Sequence, residues 1–436
     1  MADVATAGSL KQDVTVVGLV SGGHFMSHYY TMMLPPLFPL LHNDLGVSYA
    51  ALGLLLSLKS LSGGTMQLPA GILVDRFGAR ALLLLGFGIM VSCYFIIASS
   101  TSIWLIGALF LLAGIGNAVF HPADYSIMNG TVNESRIGRS FSAHTFAGHL
   151  GSALAPAVIL GIASFWNWRA AVMISCVVGI VIMAGLMTQW SHIREAEQNP
   201  KKKKKAVPVE SINPSNTEDA VAAAERELTT WQAVMQIIVS KPMLFLFLFF
   251  ALQSLGSGGF RNFAVAGLVT LHATPEAIAG SALTGFLFAS AFGVLVGGVI
   301  ADYDKRHALT ASIALSLTAC IAILVGVVNL HYVVLVGAFT LAGLVQGIIR
   351  PARDMMIRNA SPKGAVGKAF GFVFSGQAIG GTIAPVVFGL MIDLGRPDFV
   401  FYTSGVFMLV CVGAVLGSAH EARKEARARA AHAAAE

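Results

Sequence analysis

The sequence predicts an all-α polytopic membrane protein with twelve transmembrane helices in two pseudo-symmetric six-helix bundles. Three observations carry that expectation. Charged residues make up 11% of the chain against 56% hydrophobic, with a mean hydropathy of +0.73, too apolar for a water-soluble surface wrapped round a core. About twenty apolar residues cross a bilayer, and by that measure the chain offers two sets of six segments. Finally, the stretch 113–160 recurs without gaps at 342–389. Ala113-Gly114 falls on Ala342-Gly343, Pro122-Ala123 on Pro351-Ala352, Gly138 on Gly367, Phe141 on Phe370, Gly151 on Gly380, and Ala155-Pro156 on Ala384-Pro385. Small residues and prolines set how closely membrane helices approach and where they bend, so a repeat of their spacing is a repeat of packing.

In chain order, the first set of spans is expected near 14–41, 49–74, 80–98, 103–128, 140–163 and 170–189. Residues 1–13 offer one lysine and no small-residue cleavage site, and the apolar run that follows is too long for a signal peptide. It is therefore read as a retained first helix. The second set is expected near 243–271, 277–301, 309–328, 332–357, 366–394 and 399–417. Between the sets, 191–242 holds five consecutive lysines at 201–205, Pro200, Pro208 and Pro214, and a polar run, which reads as a solvated linker with one short helix near 219–231. The domains are thus an N-terminal bundle (1–190), the linker (191–242), a C-terminal bundle (243–418) and a tail (419–436). From 420 onward the tail is Ala, Arg and Glu, expected to be a frayed helix.

The net charge of +6 follows topology rather than a nucleic-acid partner. Of the 28 Lys and Arg, 22 are placed in the tails and alternate loops, which all lie on one side, while Arg169 and Arg396 alone occupy loops on the other. The positive-inside rule then puts both termini in the cytoplasm of a multi-pass protein of the bacterial inner-membrane type. Lys59, Arg261, Arg350 and Arg353 remain inside predicted spans. The four cysteines, Cys93, Cys176, Cys320 and Cys411, sit singly in apolar spans, so no disulfide or metal framework is expected.

The polar residues have a period of three spans. The third, sixth, ninth and twelfth are almost free of charge and can face lipid. The first carries His24 and His28, the fourth His121 and Asp124, the seventh Arg261, and the tenth Arg350, Arg353 and Asp354. An ion at mid-bilayer costs about 2.5–3.5 kcal/mol on insertion scales, so these helices must line something wet. Three-helix units around a central cavity have that periodicity.

At the end of the second span stands Gly71-Ile72-Leu73-Val74-Asp75-Arg76-Phe77-Gly78-Ala79-Arg80. It resembles the G-x-L-x-D-R-x-G-x-R signature between the second and third helices of the major facilitator superfamily, and a worn copy follows the eighth span at Gly298 to Asp302, with Lys305 and Arg306. The resemblance covers nearly the whole chain. It implies the major facilitator fold, and it implies that the loop holding Asp75, Arg76 and Arg80, with Asp302 in the copy, gates one face. Phe120-His121-Pro122 and the run from His24 to Tyr30 leading to Leu34-Pro35 are similar to the fosmidomycin resistance protein group, which implies proton-driven export of an anion. The fourth span departs from many proton-coupled members in having no Arg before Gly114.

His24 and His28 are one helical turn apart and share a face. Either could carry a proton or bind substrate, or simply bond backbone between helices. Ser257-Gly258-Gly259-Phe260-Arg261 echoes Ser21-Gly22-Gly23-His24-Phe25 and places an Arg close to where the first half has a His. Tyr29 could stack on an organic solute. Lys59 is read as a cavity lysine or a structural pair. His121 and Asp124 form a proton relay or, against Arg350, Arg353 or Lys59, a closed gate. His144 and His149, five residues apart, point away from one another, so one of them is expected in the cavity; His144 is taken with the proton-coupling set. Arg350 and Asp354, four apart, are expected to pair at the gate and leave Arg353 the freer cation.

The excess of cations over carboxylates inside the spans favours an anionic organic solute. The function expected is secondary active transport by alternating access, coupled to protons and directed outward, by a monomer in the lipid bilayer. Uptake of a carboxylate-type anion is the alternative, and a receptor or membrane enzyme the weaker ones. No nucleotide motif, no catalytic nucleophile set and no cofactor or metal requirement is read in the chain, and nucleic acid is not an expected partner.

Overall fold

A computed structural model describes residues 10–133, 135–190, 230–361 and 366–433. The lysine run at 201–205 and all but the last two residues of the expected linker helix lie outside them. Among the described residues every regular element is helical.

The first span is a bent rod rather than one helix. It comprises α1 (Leu10–Met32), a 3-10 turn (Pro35–Leu37) and α2 (Phe38–Leu45). Pro35 and Pro36 have no N–H to continue the α1 ladder, and Gly46 ends α2 at φ 63°. Next come α3 (Tyr49–Phe77), started by Ser48 accepting from the Ala51 N–H, and α4 (Ala79–Ser99). Between them Gly78 sits at φ 94°, a conformation only glycine adopts without strain, which accounts for the glycine of the signature loop. The fourth span is broken into α5 (Ile103–Ala118) and α6 (Phe120–Thr131). Pro122 cannot donate to the Ala118 carbonyl, so the helix loses a rung there. The first half closes with α7 (Ile137–Phe165) and α8 (Trp168–Thr188).

In the second half, α9 (Thr230–Val239) occupies the end of the expected linker. The spans follow as α10 (Lys241–His272), α11 (Glu276–Tyr303), α12 (His307–Val327), α13 (Tyr332–Ala360), α14 (Val366–Asp393) and α15 (Asp398–Ala433). The tail is continuous with α15 instead of separate from it. Ten helical lengths among the described residues are long and apolar enough to cross a membrane, counting α5 and α6 as one. The other two of the twelve spans are α1 and α3, which carry His24, His28 and Lys59.

The duplicated glycines do the same work twice. Gly114 on α5 abuts Ser62 and the Lys59 carbonyl of α3, while Gly343 on α13 abuts the Phe286 carbonyl of α11. Likewise Gly151 on α7 lies on the Phe25 carbonyl of α1, and Gly380 on α14 on the Ala251 carbonyl of α10. Outward faces of α4, α8, α12 and α15 expose Phe95, Val181, Ile313 and Val406, as helices facing lipid would.

The hydrophobic core is shared at one end and forked at the other. A single cluster joins Phe38, Tyr49, Leu52 and Leu160 of the first half to Phe263, Leu283, Phe388 and Ile392 of the second. Toward the end carrying the start of α1, separate clusters form: Val17, Met128 and Val132 in one half, and Leu246, Phe249, Ile349 and Val373 in the other. At the joined end Asp393 of α14 accepts from the N–H groups of Tyr49 and Ala50 at 2.8 Å each, capping α3 from the opposite bundle. Gly53 packs on the Pro385 carbonyl and Gly389 on that of Tyr49. The bundles are therefore sealed at one face and splayed at the face bearing the signature loop.

Candidate functional site

Between the bundles lies a cavity of about 290 Å³. The first half contributes His28 and Met32 from α1 and His149 and Ser152 from α7. The second contributes Gln253, Ser257 and Arg261 from α10, Ser290 from α11, Gln346, Arg350 and Arg353 from α13, and Gln377 from α14. Among the described residues no carboxylate lines it. Arg353 is tied down: its Nε lies 3.3 Å from Asp354, its Nη1 donates to Gln253 at 3.2 Å, and its guanidinium stacks on Phe250 at 4.6 Å. Arg261 and Arg350 have no hydrogen bond or ion pair among the described residues, and Gln346 Nε2 is buried without a partner. The expected Arg350–Asp354 pair is thus replaced by Arg353–Asp354, and Arg350 turns to the cavity instead. Two cations that cannot shed their protons and an unsatisfied amide converge on one space, which is suited to a carboxylate with hydroxyl or carbonyl groups beside it.

A second constellation lies inside the first bundle. Asp124 of α6 is fully buried, with Oδ2 3.5 Å from His24 Nδ1 and 3.5 Å from His144 Nε2. The His24 and His144 rings stack at 4.0 Å, and those of His28 and His121 lie 4.6 and 5.0 Å from His24. Gly148 makes room for this, because a Cβ there would meet His24 Nε2 at 2.6 Å. Asp124 therefore faces His24 and His144 rather than His121, Lys59 or an arginine, and the expected pairing with Arg350 or Arg353 is absent. His144 lies in this cluster and His149 in the cavity. His28 joins the two sites, since it touches the cluster and lines the cavity while holding Ser152 at 3.3 Å.

Three expected solute contacts lie outside the cavity lining: His24, in the cluster around Asp124, with Lys59 and Tyr29. Lys59 donates to Thr31 Oγ1 and Tyr94 Oη, both at 2.9 Å, and is buried in the first bundle, held by two hydroxyls and outside the cavity lining. Tyr29 bonds Ser175 at 3.0 Å between α1 and α8. On the signature loop, Arg80 donates to the Trp190 carbonyl at 2.9 Å and stacks on its ring, and Arg76 lies over Phe77. In the copy, Lys305 bonds the Asp302 carbonyl, and Arg306 holds the Asp304 carboxyl below its ordinary range by donating to it. Sequence reading missed Gln253, Gln346 and Gln377 as cavity residues and Asp393 as the inter-bundle cap. Glutamines within a repeated polar span were a usable signal. A contact between residues 393 and 49 had none.

Twelve spans in two repeated bundles around a polar central cavity define a membrane carrier by architecture. The chain belongs to the Major Facilitator Superfamily, whose family model matches residues 20–271 and 253–435. It is 25% identical over 388 residues to a probable nitrate/nitrite transporter, NarK2, of Mycobacterium tuberculosis, covering 88% of this chain and 89% of that one. It is also 30% identical over 150 residues to a probable L-galactonate transporter of Escherichia coli. That match spans about a third of each protein, 33% of this chain and 32% of the other. Among solved structures, a bacterial homologue of the human lysosomal transporter Spinster, in an inward-facing and unoccupied conformation, superposes with a TM-score of 0.73 at 13% identity, over 95% of this chain and 97% of that one. None of these relatives is a fosmidomycin resistance protein, so the superfamily stands and the narrower resemblance gains no support from them.

Proposed function

We propose that this chain is a secondary active transporter that moves a small organic anion of the carboxylate type by alternating access, as a monomer with both termini in the cytoplasm of a bacterial inner membrane. One observation carries the substrate class: Arg261 and Arg350 face a shared cavity without a carboxylate partner. A neutral solute would leave two desolvated guanidinium groups uncompensated, whereas an anion supplies the missing charge. The two relatives, a probable L-galactonate transporter and a probable nitrate/nitrite transporter, accord with an anionic cargo. The forked core supports a resting form open on the face of the signature loop, with the sealed face parting in the other half of the cycle. Proton coupling is assigned to the buried carboxylate Asp124 with His24, His144 and His121, reached from the cavity through His28. The carboxylate class is preferred to the export of another anion because a relative is a probable L-galactonate transporter, while the narrower resemblance gains no support.

The test is flux of labelled mono-, di- and hydroxycarboxylates, with neutral sugars as controls, into proteoliposomes holding the full chain, with and without a pH gradient of either sign. Anion flux that the gradient accelerates is expected, and the effective sign reports the direction. Arg261→Gln and Arg350→Gln are each expected to lower kcat/KM by about tenfold or more, a loss of charge-assisted hydrogen bonds. Equal transport of neutral solutes, or full activity of both variants, would sink the reading.

A further inference from the structure

We propose that His24, Asp124 and His144 form a binding site for a first-row transition-metal dication, of which zinc is the representative. The spacing around Asp124 suits no hydrogen bond. Both Asp124 Oδ2 contacts, to His24 Nδ1 and His144 Nε2, measure 3.5 Å, beyond the usual N–H···O range. Both Asp124 oxygens, His24 Nδ1 and both His144 ring nitrogens are buried without a hydrogen-bond partner. No Lys or Arg among the described residues lies within ion-pair distance of Asp124. A set of five orphaned polar atoms in one apolar bundle is expensive, and something with several empty coordination positions would satisfy it.

The same spacing suits a metal. With zinc bonds of about 2.0–2.1 Å to nitrogen and oxygen, neighbouring donors of a tetrahedral site stand about 3.4 Å apart, close to the two 3.5 Å separations. One donor atom from each of the three residues lies within 4.8 Å of the other two. No hydrogen bond among the described residues holds the His24 or His144 ring, so rotation can close the remaining edge. Two imidazoles and one carboxylate are a donor set that suits zinc, cobalt or nickel. His121 is exposed and its ring lies 5.0 Å from that of His24, which places it at the entry to the site. Binding requires the carboxylate ionised and the imidazoles neutral, so metal and proton exclude each other at this site; in that one respect the inference touches the transport reading.

The experiment uses the full chain in detergent, freed of any polyhistidine tag and with no substrate or gradient. Titration with Co²⁺ is expected to give the intense visible absorption of a tetrahedral centre, saturating at about one ion per chain and bleached by Zn²⁺. Asp124→Asn and His144→Gln should each weaken binding by about tenfold or more. Gly148→Ala keeps all the ligands but drives a methyl against the His24 ring, and should weaken it too. His420→Ala, on the exposed part of α15, should not. If one ligand variant fails to fold, the other and Gly148→Ala decide. No cobalt band, or wild-type binding in the variants that fold, overturns the proposal. Since anion flux is not measured, this outcome and that of the transport assay are independent.

Discussion

At the residue scale, partners decide what an intramembrane charge does, and partners were the part least legible in the sequence. Lys59 and Arg261 look alike as lone cations in apolar helices. Yet Thr31 and Tyr94 hold the Lys59 ammonium inside one bundle, while Arg261 lines the cavity with no bond. The presence of the charges, their period of three spans and the inequality of the two halves were all readable. Their pairing was not, because long side chains reach partners that helical spacing does not rank. Arg353, adjacent to Asp354, takes the carboxylate that Arg350 was expected to hold. The distinction is measurable. Lys59→Met strands the Tyr94 hydroxyl, while Thr31 keeps its bond to the Ser27 carbonyl, and should cost about 1–3 kcal/mol of stability, while KM for the transported anion stays within about twofold. A tenfold rise in KM at unchanged melting temperature would return Lys59 to the solute site.

At the element scale, the spans were legible because hydrophobic length and repeated small residues are local signals, and their ends moved by only a few positions except for the last, whose helix runs on to Ala433. The breaks were less so. Pro35-Pro36 and Pro122 are visible in the sequence, but whether a proline kinks a membrane helix or ends it depends on what satisfies the freed carbonyls. The repeat makes a prediction that neither half makes alone. Gly151 and Gly380 stand at equivalent positions and each seats its helix on a carbonyl of the helix opening its own bundle. Gly151→Leu and Gly380→Leu should therefore be similarly damaging, each by about 1–3 kcal/mol or more through overpacking, and thermal unfolding of the purified variants checks it. A tolerated leucine at one site only would mean that the duplicated spacing has outlived its duplicated packing.

At the scale of the whole molecule, function depends on a difference between the two faces that no local pattern encodes. The bundles share a core at one end and separate at the other, and the contacts holding the sealed face join residues far apart in the chain, more than three hundred positions for Tyr49 with Asp393 and Gly53 with Pro385. Asp393 is the polar member of that seal. Its carboxylate caps two N–H groups at the start of α3, a contact that must break when the sealed face opens, whereas the packing within each bundle can persist. Removing it should therefore leave both bundles folded and move the equilibrium between them. Capping is worth about 1–2 kcal/mol, so Asp393→Ala should shift the population toward the form open at that face by about five- to thirtyfold. Met32 lines the central cavity, so Met32→Cys, in a chain whose Cys93, Cys176, Cys320 and Cys411 are replaced by Ala or Ser, reports which face admits a water-borne thiol reagent. In sealed vesicles of known sidedness, labelling should come from the signature-loop face in the parent chain and increasingly from the opposite face once Asp393→Ala is added. Unchanged labelling would mean that the apolar contacts of Phe38, Phe263 and Phe388, with Gly53 and Gly389 beneath them, hold the seal without the carboxylate.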